Sequence, residues 1–199
     1  MTKLPLIYYC QEDVVFLAKD LIGKKLCTRI DGEYTAGIIT ETEAYRGWGD
    51  RACHAHAGKR TQRTEIMYKP GGVAYVYLCY GIHNLFNIIT NKEDSADAVL
   101  IRAIQPVEGI EIMLKRRNKA KVTPQLTSGP GSMSQALGLS RIHYGESLDG
   151  ETVWLENPPP DQVPKKITET TRIGIDYAGD DALLPWRFYN AESPFVSKR

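Results

Sequence analysis

The sequence predicts a mixed α+β domain: a mostly antiparallel, curved sheet with flanking helices and one protruding β-hairpin. Three observations lead there. Strand-like runs come in pairs joined by turn residues at Asp31-Gly32 and around Gly81, the signature of antiparallel hairpins. Helical periodicity is confined to three short segments. The 199 residues, 42% of them hydrophobic, suit one domain spanning residues 1–199 with a substantial core.

The elements follow in order. Val14, Leu17, Ala18, Leu21 and Ile22 lie at i, i+3, i+4, i+7 and i+8, so residues 11–22 should be a helix with one apolar face, stopped by Gly23. Residues 25–31 and 34–43 form the first hairpin. Residues 47–70 lack periodicity and are expected to be mainly loop; structureless stretches beyond about 12–15 residues are usually functional or disordered. Residues 73–80 and 85–90 form the second hairpin, and 98–104 a further strand. A helix over 107–117 turns Ile110, Met113 and Leu114 inward, and a second opens at Ser128-Gly129-Pro130 and runs to Leu137 before Gly138. Val153–Glu156, Arg172–Ile175 and Arg187–Tyr189 are expected as late strands, and Pro158-Pro159-Pro160 as a surface turn.

Composition narrows the function. No apolar run approaches the roughly 20 residues of a membrane span, and Met1–Pro5 lacks the apolar core of a secretory signal, which points to the cytoplasm. No two of the four cysteines have CxxC spacing, so zinc-ribbon and redox-motif chemistry is not indicated; Cys10, Cys27 and Cys79 are expected to be reduced and buried. The net charge of +1 is low for a nucleic-acid binder, so any phosphate-binding residues must be concentrated on one face.

Several groups could carry chemistry. In an extended segment Glu41, Glu43 and Tyr45 share a face, and two carboxylates with a phenol at a strand end could do acid/base work; a solvated strand edge is the competing reading. His54 and His56 could share a metal, but no third ligand with suitable spacing accompanies them. Tyr75 and Tyr77 share a strand face, whereas Tyr80 lies out of step with them beside Gly81, where a ring can project and wedge between bases. Five of the seven residues 115–121 are basic, and Lys59, Arg60 and Arg63 add a second patch; both are either solvated charge or a phosphate-tracking surface.

Together and in order, these residues resemble the alkyladenine DNA glycosylases. The likeness runs through Glu41-Thr42-Glu43-Ala44-Tyr45, His54, Met67–Gly71, Tyr75–Gly81, Asn87 and Leu100–Ala103. It continues through Ser128-Gly129-Pro130, Gln135–Leu137, Arg187–Tyr189 and Ser193–Ser197, and so covers nearly the whole chain. Trp48–Arg51 and Asn84, after His83, depart from the family pattern and bear on substrate preference.

The resemblance implies an enzyme that flips alkylated or deaminated purines out of duplex DNA and hydrolyses the N-glycosidic bond, leaving an abasic site without cutting the strand. It implies Glu43 as the base that activates water, with Arg102 holding carboxylate and water. The base would stack between Tyr45 and His54 on one side and Tyr77 on the other, above Asn87 at the pocket floor. Tyr80 and Gly81 would contact the DNA, Tyr80 filling the vacated gap. It implies no cofactor, no metal, no membrane partner and a monomer acting on double-stranded DNA with damaged purines. The rival readings are a non-catalytic nucleic-acid-binding module and a metal-dependent hydrolase using His54 and His56.

Overall fold

The computed structural model describes residues 2–158 and 163–199. A one-turn helix α1 (Leu6–Tyr9) precedes α2 (Val14–Asp20), which begins at the first residue of its apolar face and is shorter than the expected 11–22. The Asp13 carboxylate accepts the N–H groups of Val15 and Phe16, both at 3.0 Å, and so caps the helix at Val14. Val14, Leu17, Ala18, Leu21 and Ile22 are all buried, and Gly23 follows with φ +94°.

Strands β1 (Lys25–Ile30) and β2 (Glu33–Tyr45) meet at Asp31-Gly32, both with positive φ, as a tight hairpin requires. β3 (Val73–Cys79) and β4 (His83–Thr90) form the second hairpin. β5 (Asp97–Glu108) is longer than expected: Val107 and Glu108 extend the strand and do not open the helix. Gly109, at φ +66°, makes the turn into α3 (Ile110–Arg117). α4 (Pro130–Leu137) starts with proline in its first turn and ends at Gly138. β6 (Val153–Glu156) follows as expected.

The late strands need one correction. β7 is Ile167–Thr170, paired with β8 (Arg187–Asn190), while Arg172–Ile175 is not a strand. The Arg172 side chain turns into the interior and Gly174 takes φ +77°, which breaks the extended run. Pro159 and Pro160 of the proline turn lie outside the described residues. Among the described residues no helix is long and apolar enough to cross a membrane.

All pairings are antiparallel, in the order β3-β4-β5-β2-β1-β6, with β8 on β2 and β7 on β8. The period-two alternation of a strand divides the sheet into two faces. Val76, Phe86, Ile88, Val99, Ile101 and Ala44 join Leu17, Leu21, Met113 and Met133 in the main core under the helices. Tyr75, Tyr77, Asn87, Leu100 and Glu43 belong to the other face. The solvated-edge reading of Glu41 and Glu43 therefore fails: β2 lies between β1 and β5, and both carboxylates are buried. Cys10 and Cys79 are half-buried, unlike the expectation, while Cys27 and Cys53 are buried; all four are free thiols.

Candidate active site

The register across the second face places Tyr75 opposite Asn87, Asn87 opposite Leu100, and Leu100 opposite Glu43. One row of the sheet thus spans from the aromatic hairpin to the carboxylate. Next along β5, Ile101 pairs with Thr42 but Ala103 pairs with Glu41, so Arg102 is the extra residue of a β-bulge. Bulges re-aim side chains, and this one places the Arg102 guanidinium between the two glutamates: Nε lies 3.0 Å from Glu41 Oε1 and Nη1 lies 3.2 Å from Glu43 Oε2. Burial opposes the Arg102 charge, but the Glu43 and Glu41 carboxylates outweigh it and raise its pKa further.

Glu43 is fully buried and held from three directions. Besides Arg102, Tyr45 Oη donates to Oε2 at 2.8 Å and the Ile173 backbone N–H donates to Oε1 at 2.7 Å. Burial and the neighbouring Glu43 charge push the Tyr45 phenol well above its usual pKa, so it stays a neutral donor. Tyr45, Arg102 and Ile173 all line a cavity of about 650 Å³, within the size range of small-ligand sites, and Glu43 lies immediately behind them.

Glu41 has a different environment. It accepts from Arg102, from Arg187 Nη1 at 2.9 Å, and from the Ser197 amide at 2.6 Å and hydroxyl at 2.8 Å. Its oxygens are occupied by these donors, and it serves as an anchor for Arg102.

The same cavity is lined by His54, Arg63, Tyr75, Tyr77, Leu85, Asn87 and Leu100. The His54 and Tyr77 rings meet edge to face with centroids 4.8 Å apart, too close to sandwich a flat base without moving. His54 Nδ1 lies 2.8 Å from Tyr75 Oη, and the Arg63 guanidinium covers the Tyr77 ring at 4.8 Å and reaches His54 Nε2 at 3.3 Å. Burial, Arg63 and Lys59 together depress the His54 pKa to about 4, which leaves the imidazole neutral. Asn87 is buried, and its amide nitrogen donates to the Tyr75 and Leu85 carbonyls.

At the hairpin tip Tyr80 is 87% exposed, and Ile82 beside it is exposed as well. Tyr80 and Gly81 both have positive φ, and Ile82 N–H closes the turn on the Cys79 carbonyl. A tyrosine at φ 51° is an uncommon, strained choice that local packing does not explain.

The methylpurine-DNA glycosylase family model matches residues 8–194. This chain belongs to that family. Among curated relatives it is 47% identical over 186 residues to a Chlamydia felis protein named "Putative 3-methyladenine DNA glycosylase", covering 93% of this chain and 94% of that one. A Bacillus thuringiensis protein of the same name is 45% identical over 199 residues, covering 96% and 97% of the two chains.

As a DNA glycosylase of the methylpurine family the protein needs contacts to phosphate, and the two basic runs contribute unevenly. Arg116 and Arg117 turn inward, Arg116 to Glu33 and the Ala136 carbonyl, Arg117 to the Leu126 carbonyl and Gln135. Lys115, Lys119 and Lys121 stay exposed. Arg60 is exposed but paired with Glu65 and Asp94. His54 lines the cavity and His56 does not, and among the described residues no three His, Cys, Asp or Glu side chains converge as a metal-ligand set.

Sequence reasoning missed the Ile173 amide, Arg172 and Asp50. The Arg172–Ile175 run reads as an ordinary strand, and nothing in its local sequence marks the inward turn of Arg172.

Proposed function

We propose that the enzyme extrudes an alkylated or deaminated purine (3-methyladenine, 7-methylguanine, hypoxanthine or etheno-adenine) from duplex DNA and hydrolyses its glycosidic bond by water addition. The water oxygen bonds to C1′, its proton passes to Glu43, and the C1′–N bond breaks with its electron pair leaving on the base. Negative charge on Glu43 also favours the electron-poor sugar that forms as the bond lengthens. The supporting observation is the fully buried Glu43, held by Tyr45, Arg102 and Ile173 just behind a cavity walled by Tyr45, His54 and Tyr77. A non-catalytic module that grips phosphates has no use for such a carboxylate.

Tyr45, His54 and Tyr77 are then the base-stacking residues and Asn87 the floor. His54 and Arg63 must yield as the base enters, because in the free protein they close on Tyr77. Tyr80 and Gly81 meet the DNA, and Tyr80 takes the vacated place in the stack. No lysine is found among the described residues lining the cavity, which favours water over an amine as nucleophile and a glycosylase without strand cleavage.

The test is incubation of wild type and Glu43→Gln with duplexes carrying hypoxanthine or 7-methylguanine, measuring free base and abasic sites under single-turnover conditions. Loss of a general base typically slows a reaction by about 10²–10⁴-fold, and the variant should lose at least that while still binding lesion DNA. Near-normal release by Glu43→Gln would remove Glu43 from the mechanism. A borohydride-trapped protein–DNA adduct would refute the water nucleophile.

A further inference from the structure

Asp50 and Arg172 form an ion pair with no exposed side-chain surface, bidentate at 2.6 and 2.8 Å. Neither residue lines the cavity. A buried pair is weak evidence of stabilisation, because desolvation offsets most of its attraction, so its connections matter more than its existence.

Those connections lead to Glu43. Arg172 precedes Ile173, whose amide holds Glu43 Oε1. Its guanidinium also lies 4.9 Å from the Tyr45 ring centroid, behind the phenol that holds Oε2. It donates further to the Ala44 carbonyl at 2.8 Å and the Asp181 carbonyl at 3.0 Å, and covers Trp186 at 5.1 Å. Asp50 accepts the N–H groups of Arg46 and Ala52 with the oxygens that grip Arg172. The pair therefore ties together the end of β2, the loop leading to His54, and the 171–175 segment. Two of the three donors on Glu43 sit on pieces of chain that Arg172 joins.

We propose that Asp50 and Arg172 are positioning residues for hydrolysis: they hold the Ile173 amide and the Tyr45 phenol on Glu43 without touching substrate. This rests on the assignment of Glu43 as the base. A guanidinium is required, since only it can fork onto Asp50 while its carbon sits over the Tyr45 ring. Small misplacements of catalytic groups from remote substitutions can slow a reaction by about 10²-fold.

Arg172→Lys and Asp50→Asn test this, each in the full chain, with single-turnover base release and lesion-duplex affinity both measured per folded molecule. Arg172→Lys keeps the charge but loses the fork onto Asp50; Asp50→Asn keeps the shape but loses the charge. The expected result is a release rate lowered by roughly 10–100-fold with lesion affinity within threefold of wild type. A purely structural pair would reduce the folded fraction and leave the rate per folded molecule unchanged, and that outcome overturns the proposal. Should one variant fail to fold, the other decides. Glu43→Gln in the same assay separates the two readings: if it is inactive while both pair variants release base at the wild-type rate, only the positioning proposal fails; if it is active, the Glu43 reading fails.

Discussion

Asn87 lines the cavity because its strand alternates, and the proposed role in excluding guanine turns on its side-chain bonds. Its amide nitrogen is committed to the Tyr75 and Leu85 carbonyls, which fixes the side chain against the wall. A guanine differs from hypoxanthine by an exocyclic 2-amino group, and a fixed polar side chain excludes such a group by clash or by leaving it unpaired. Asn87→Ser should raise excision of normal guanine relative to hypoxanthine; an unchanged ratio would mean the base enters in another orientation. His54 makes a second prediction at this scale. Its folded pKa of about 4 lies below the unfolded value of 6.5, so the unfolded chain binds more protons between them. Its contribution to stability is complete above pH 6.5 and is lost as pH falls toward 4. Urea midpoints from pH 7 to pH 4 should fall less steeply for His54→Gln than for wild type.

The β3–β4 hairpin is an element with two different ends. At its base Tyr75 and Tyr77 pack against His54, with ring contacts of 5.4 Å to one another. At its tip Tyr80 has no such packing and projects into solvent. Base–aromatic stacking contributes about 1–3 kcal/mol, so Tyr80→Ala should weaken lesion-specific binding by about ten- to a hundredfold. Phosphate contacts come from lysine and arginine, so affinity for undamaged duplex and its salt dependence should persist. A core tyrosine would behave differently: its loss would lower stability by about 3–5 kcal/mol, a result that the exposure of Tyr80 argues against. Unchanged lesion preference in the variant would show that the ring does not enter the stack.

At the scale of the molecule, Glu41 links the end of the chain to the middle of the sheet. Ser197 and Arg187 both reach it, and Thr40 beside it donates to the Phe195 carbonyl. Removing one partner of a buried charge typically lowers stability by about 3–5 kcal/mol. Arg187→Ala should therefore lower the free energy of unfolding by that order, measured by urea denaturation. A loss below about 1 kcal/mol, the range of an exposed pair, would mean that Glu41 is compensated without Arg187.

Much of this architecture was legible locally. Periodicity, the Asp31-Gly32 turn and the helix-ending glycines depend on neighbours a few residues apart, so they can be read in one dimension. The outward Tyr80 was legible for the same reason, as it falls on the turn beside Gly81. The resemblance across Glu41–Ala103 marked Arg102, Tyr45, His54, Tyr77 and Asn87, which the sheet register and the His54 loop bring to one cavity, and Glu43, which lies just behind its wall. What the chain order could not show is which charges meet. Glu41 and Glu43 look equivalent in sequence, yet Glu41 is closed off by Arg187 and Ser197 from the far end of the chain, while Glu43 lies behind the cavity wall. Only tertiary contact separates the two carboxylates, because the difference lies in partners more than a hundred residues away. The same holds for Arg172 and Asp50, which are 122 residues apart in the chain and meet only inside the protein.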